Sequence, residues 1–220
     1  MAIPTKKDII DLYRKRGKHY DFTANLYYLV GFREYAYRKR AIEELNLQEG
    51  DTVVEIGCGT GLNFPFLQEK VGPEGKIIGV DLTDAMLAEA HKRVEKHGWK
   101  NVKLIQHDAS TFEFPPGIDG IISTFALTLV PDYEQVIRNG CRALKPGKRW
   151  VVLDFKLPSD QLSFLVPALV FVTKPFGVTR ELGERHPWES IEKYLERTRM
   201  SDLYLGIAYI SSGERGTNGS

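Results

Sequence analysis

The sequence predicts an α/β protein built on a parallel sheet with helices on both faces. Three observations carry this. Thr52-Val53-Val54-Glu55-Ile56 is a β-branched run of strand length that ends in Gly57-Cys58-Gly59-Thr60-Gly61. Further apolar runs, Lys76–Leu82, Val102–Ala109 and Ile118–Thr124, follow at the intervals of strand–helix units, and the first two carry an acid near their end, Asp81 and Asp108. Finally, Leu144-Lys145-Pro146-Gly147 turns the chain into a fifth run, Trp150–Asp154.

Taken in order, residues 5–47 read as two or three helices. Ile9, Ile10, Leu12 and Tyr13 form an apolar stripe, Tyr20 to Val30 is an aromatic segment, and Ala36 to Leu45 is a third helix. Leu47 to Asp51 is the turn into the first strand, and a helix is expected from Leu62 onward. Thr83 suits an N-cap for a helix running to about His97. Asp132 to Leu144 is another helix, introduced by Pro131. Beyond Asp154 the alternation stops, and residues 157–195 read as an insertion with an apolar stretch, Leu162 to Val172. Leu203 to Ile210 returns as strand, and the polar tail 213–220 is expected to be disordered.

The glycine loop carries the chemistry. Glycines let the backbone turn sharply and let a ligand approach where a Cβ would block it. The helix that follows aims its free N–H groups at the ligand. A dinucleotide fingerprint needs glycine at position 62, where Leu62 stands. The E-x-G-x-G-x-G form from Glu55 to Gly61 instead resembles motif I of the class I S-adenosyl-L-methionine (SAM) methyltransferases. The later strands and the L-x-P-G turn resemble that family's later motifs in order and spacing.

The resemblance implies a Rossmann-like, doubly wound, seven-strand sheet with an N-terminal helical cap. Residues 1–47 would form the cap or lid, 48–212 the SAM-binding core with its insertion at about 157–195, and 213–220 the tail. Leu203 to Ile210 would supply half of the antiparallel pair closing the sheet. The implied cofactor is SAM, with S-adenosyl-L-homocysteine as product. The implied cofactor-binding residues are Tyr20, Glu55, Gly57, Cys58, Gly59, Gly61, Asn63, Asp81, Leu82, Met86, Asp108, Ala109 and Ser123. Asp81 would take the ribose hydroxyls and Asp108 the adenine amino group.

Composition bounds the partners. A net charge of +1 gives no global field to recruit nucleic acid. Residues 1–40 nevertheless hold ten Lys or Arg against four Asp or Glu, a net of +6, which suits an anionic membrane surface. Cys58 and Cys141 make neither a disulfide framework nor a metal site. The N-terminus lacks the apolar core of a secretory signal. No segment reaches the roughly 20 apolar residues that span a bilayer. A cytoplasmic protein is expected, with a peripheral position on the inner face of the membrane if its acceptor is a lipid.

The acceptor must be read outside motif I. The N/D-P-P-Y/F of nucleic-acid amino-methyltransferases is replaced by Ser123-Thr124-Phe125-Ala126, and arsenite methyltransferases need more cysteines. The whole chain resembles bacterial phospholipid and betaine-lipid N-methyltransferases, through Tyr13, Tyr20-Asp21, Gly31-Phe32-Arg33-Glu34, Gly59–Phe64 and Ser123–Thr128. That resemblance implies methylation of a lipid amine, with Tyr13, Tyr28, Arg33, Phe125 and His186 as acceptor-site residues and no assigned catalytic base. Tyr20-Asp21 and Gly206–Ile210 also look similar to lipoquinone C-methyltransferases. Those carry an Arg-Asn pair after the fourth strand, where Ala126-Leu127-Thr128-Leu129 stands here. A soluble amine or hydroxyl acceptor, a lipoquinone carbon, and SAM binding without turnover are the alternatives.

Overall fold

The computed structural model describes residues 5–16, 31–157, 182 and 184–217. Strand β1 (Thr52–Ile56) pairs in parallel with β2 (Lys76–Asp81) on one side and β4 (Ile118–Thr124) on the other. β3 (Val102–Gln106) lies outside β2, and β5 (Leu144–Phe155) lies beside β4, both parallel. β7 (Ala208–Glu214) runs antiparallel to β5, and β6 (Glu196–Leu203) runs antiparallel to β7. The order β3-β2-β1-β4-β5-β7-β6 is that of a seven-stranded doubly wound sheet. Its topological switch point falls between β1 and β4, where the chain departs to opposite sides and leaves a crevice at the strand ends.

Strand alternation divides the core between two faces. Val53, Val151 and Leu153 pack with Ala41, Ile42 and Leu45 of α2 (Glu34–Glu44) and with Phe64 and Leu67 of α3 (Phe64–Val71). Val54, Ile56, Trp150 and Val152 face Val136, Ile137 and Cys141 of α5 (Tyr133–Ala143) and Ile191 of α6 (Pro187–Tyr194). Trp150 is fully buried. Burying an indole removes roughly 200 Å² from water, worth on the order of 5 kcal/mol. Gly140 makes that contact fit, since a Cβ there would stand 2.1 Å from the Trp150 ring. Among the described residues the other α-helices are α1 (Lys6–Arg16) and α4 (Asp84–His97).

Several expectations are corrected. The helix after the glycine loop starts at Phe64, because residues 61–63 complete the turn. Thr83 holds the N-cap position of α4 without a side-chain cap, and its N–H is instead accepted by Asp81 Oδ1 at 2.8 Å. Leu203 to Ile210 is not one strand but a hairpin corner, with Tyr204 and Leu205 at φ +44° and +60°. β7 continues through Gly213 and Glu214, so part of the expected tail is sheet. Helix α6 occupies the end of the expected insertion, and the apolar stretch Leu162 to Val172 lies outside the described residues. Among the described residues no helix is long and apolar enough to cross a membrane.

Candidate active site

The glycine loop leaves β1 and closes back on β2. The N–H groups of Gly57 and Cys58 both donate to the Val80 carbonyl, at 2.8 and 3.0 Å. Gly57 has φ +69°, and a Cβ on it would lie 2.3 Å from the Cβ of Ala126. The loop after β4 is thus pressed directly onto the loop after β1. Together they form one wall of a cleft at the switch point.

Two acids stand at the β2 and β3 side of this cleft. Asp81 Oδ2 accepts from Gly59 N and Oδ1 from Thr83 N, each at 2.8 Å. Burial pushes its carboxyl pKa up, against the pull of those backbone donors. Each oxygen retains a second lone pair for a hydroxyl. Asp108 accepts from Ser110 N and Oγ, and Lys6 Nζ of α1 lies 2.5 Å from its other oxygen. Partial burial raises the Asp108 carboxyl, but the Lys6 and Ser110 donors outweigh it and hold it below the ordinary range. Arg14 forks onto Asp84 at 2.9 and 3.2 Å, so α1 is pinned across the cleft mouth at two points. Tyr13, on the same helix, is buried and lines the cleft.

Behind the loop lies a buried polar network. Arg38 donates through Nε and Nη2 to Glu34 Oε1, at 2.8 and 2.6 Å, and through Nη1 to Thr124 Oγ1 at 2.5 Å and Asn63 Oδ1 at 3.3 Å. Asn63 Nδ2 donates onward to Glu55 Oε1 at 2.6 Å. Glu55 Oε2 is buried without a hydrogen-bond partner. Burial raises the Glu55 pKa to about 8, although Arg38 and Asn63 favour its charged form.

The far wall is apolar. Phe125 directly follows β4 at φ +54°, a conformation that bulky residues seldom adopt outside sites that require it. Its ring lies 4.8 Å from Phe155 and 5.8 Å from Phe32, and Phe32 in turn meets Tyr204 of the hairpin corner at 5.3 Å. Leu129 and Val130 continue this wall. Asp154, buried on β5, accepts from Thr128 N at 2.9 Å and so anchors the same loop from below.

Of the residues expected to hold cofactor, Gly57, Cys58, Gly59, Asp81 and Leu82 line the cleft, as do Met86, Asp108 and Ala109. Glu55, Asn63 and Ser123 lie buried behind its wall, and Gly61 packs against the Phe64 ring. Among the expected acceptor residues, Tyr13 and Phe125 line the cleft. Arg33 is exposed at the start of α2, and His186 pairs with Glu189 at 2.8 Å and stacks on Trp188. Neither of those two is part of the cleft lining. Tyr20 and Tyr28 lie outside the described residues. Sequence reasoning missed Arg38, Thr124 and Lys6. The i,i+4 spacing of Glu34 and Arg38 was the available signal for the first.

SAM fits this donor set, because a nucleoside needs hydroxyl acceptors and Asp81, lining the cleft with lone pairs to spare, offers them. The comparisons with known proteins agree. A family model described as "Methyltransferase domain" matches residues 47–175. The chain is 30% identical to a demethylmenaquinone methyltransferase of Geobacillus stearothermophilus over 201 residues, covering 87% of this chain and 84% of that one. It is 32% identical over 208 residues to the protein of the same name from Geobacillus sp. strain WCH70, covering 90% and 87%. Among solved structures, a SAM-dependent methyltransferase from Aquifex aeolicus superposes with a TM-score of 0.64 at 22% identity, over 81% of this chain and 89% of that one. This chain belongs to the methyltransferase-domain family and is a SAM-dependent methyltransferase.

Proposed function

We propose that the acceptor is a ring carbon of a lipophilic quinol, of the lipoquinone class. The observation that carries this reading is the apolar wall formed by Phe125, Ala126, Leu129 and Val130. Such a wall suits a flat, neutral ring. Among the described residues, the carboxylates lining the cleft, Asp81 and Asp108, belong to its nucleoside side. A lipid amine, the acceptor expected from sequence, would arrive as an ammonium and call for a carboxylate at the other side. The relatives named for demethylmenaquinone methylation support the ring-carbon reading over the amine.

Bound SAM supplies an electrophilic methyl whose sulfur leaves with the bonding pair, and the methylated ring carbon then gives up its proton to solvent to restore the aromatic ring. The chain's share is positioning and exclusion of water. Asp81 and Asp108 hold the nucleoside end, Glu55 and its network the amino-acid end, and the aromatic wall holds the acceptor ring in line. Lys7 and Lys15 of α1 are exposed and suit an anionic membrane surface, where a lipophilic acceptor would be met.

The test offers methyl-labelled SAM together with a reduced, demethylated naphthoquinol bearing a short prenyl chain, and in parallel with phosphatidylethanolamine vesicles. Label in the naphthoquinol is expected. Label in phosphatidylethanolamine alone would replace this reading with N-methylation of a lipid head group.

A further inference from the structure

The Glu34–Arg38 ion pair is buried on both sides, with side chains only 10% and 6% exposed. Burying a charge pair is a poor way to hold a helix in place. Apolar residues of the same volume dock as well or better, without the desolvation cost. The pair therefore calls for another account, and its contacts supply one. Arg38 and Thr124 stand at the cleft wall, while Asn63 and Glu55 lie directly behind them. The hydrogen bonds run without a break from Glu34 through Arg38 to Thr124 and Asn63, and from Asn63 to Glu55. Thr124 Oγ1 also accepts from Asn63 Nδ2 at 2.9 Å, so the three side chains form a closed triangle.

We propose that Arg38 is a positioning residue for the methyl donor: braced by Glu34, it locks Thr124 and Asn63, and through Asn63 it holds the Glu55 carboxyl, one oxygen tied and the other unpaired, behind the cleft wall against which the donor's cation would lie. With Glu55 ionised, the network holds two carboxylates against one guanidinium. It is complete in charge once a ligand brings a positive group, as the ammonium and sulfonium of SAM do. The groups that bear on the Glu55 charge are Arg38 of α2, Asn63 before α3, Asp81 at the end of β2, and the neutral thiol of Cys58 in the loop between. Of these, Arg38 is the cation, and it reaches Glu55 from a helix outside the sheet. A helix packed on the sheet beside the cleft thereby also sets the charge behind the cleft wall.

The experiment is calorimetric titration of SAM into the full-length protein from about pH 6 to about pH 9, for wild type, Arg38→Gln and Thr124→Val. In the wild type, affinity corrected for titration of the ligand's own amine over the same range rises with pH as Glu55 gives up its proton, because only the charged carboxylate attracts the ligand's cation. Arg38→Gln removes the charge that favours carboxylate, so the inflection moves to higher pH and neutral-pH binding weakens by about tenfold. Arg38→Lys keeps the charge and brings the inflection back toward the wild-type position. Thr124→Val preserves both charges and the side-chain shape, breaks the triangle, and weakens binding several-fold. A purely structural role for Arg38 would lower the melting temperature without moving the inflection. A folded Arg38→Gln protein with wild-type affinity and inflection overturns the proposal. If Arg38→Gln does not fold, Thr124→Val decides it, and unchanged affinity there overturns it equally. The readout is binding alone, so the identity of the methyl acceptor does not enter.

Discussion

Replacing Asp81 by Ala tests the nucleoside side of the site most directly. In the folded chain this carboxylate already accepts two backbone N–H groups, from Gly59 and Thr83, each at 2.8 Å. If its remaining lone pairs take the two ribose hydroxyls, the substitution removes two hydrogen bonds to a charged acceptor. At the lower end of about 1.5–3 kcal/mol for each, the loss is about 3–4 kcal/mol, or roughly a 10²–10³-fold weaker Kd for SAM. The two orphaned N–H groups carry their own cost, partly relieved by water entering the vacated space, and about 2 kcal/mol of stability should go with them. For a chain of this size that corresponds to a fall in Tm of about 4–8 °C. The assay is a calorimetric titration of SAM and of S-adenosyl-L-homocysteine below the melting range, beside a thermal scan. Asp81→Asn keeps one oxygen as acceptor and should lie between wild type and Ala in both readouts. A folded Asp81→Ala protein whose Kd stays within about threefold of wild type would refute the ribose role, since even one charge-assisted hydrogen bond is worth more than that.

Two other predictions concern the loop and its acid. Gly57→Ala strains a backbone at φ +69° and drives a Cβ to within 2.3 Å of Ala126, so denaturant titration should show a loss of about 2–4 kcal/mol. Adding Ala126→Gly should recover the collision but not the backbone strain; full additivity of the two changes would show that the loops do not meet. Glu55 releases its proton near pH 8 in the folded chain and near 4.5 when unfolded, so the folded state binds the extra proton between those values. Ligand-free stability should therefore fall as pH rises through that window, and Glu55→Gln should flatten the fall. Asp154, raised to about 6 mainly by burial, adds a slope of the same sign at the acidic end that the variant keeps. Parallel melting curves for wild type and Glu55→Gln across the window would rule out Glu55 as the buried titrating group.

The cofactor half of this molecule was written in short-range code. A strand, a turn that only glycine can make at Gly57, and an acid at the end of the next strand are neighbours in sequence, and their spacing is their geometry. What was hidden depends on contacts between distant segments. Glu196–Leu203 has no apolar period because β6 is an edge strand with charges along it, so nothing marked it as sheet. The corner at Tyr204 and Leu205 read as strand because apolar residues continue through it, and positive φ in a non-glycine leaves no compositional trace. Arg38 was masked by its neighbours, as Tyr37-Arg38-Lys39-Arg40 looks like a solvated basic face. Lys39 and Arg40 are indeed exposed, while Arg38 turns inward to a partner one helical turn away. The aromatic cluster behind the apolar wall draws Phe125 from just after β4, Phe155 from β5, Phe32 from before α2 and Tyr204 from the hairpin. No local pattern joins four such segments.

The switch point between β1 and β4 also divides the molecule by how freely it can change. To one side, β2 and β3 end in carboxylates engaged by backbone N–H groups, where even a conservative replacement strands a polar partner. To the other, β4, β5 and the β6–β7 corner contribute rings packed on rings. Exchanges of volume among Phe32, Phe125 and Phe155 remove no hydrogen-bonding group. If the acceptor lies against that flank, as proposed, new acceptor shapes can be sampled there by drift while the carboxylate flank stays unchanged. A library confined to Phe32, Phe125 and Phe155 would explore that freedom directly.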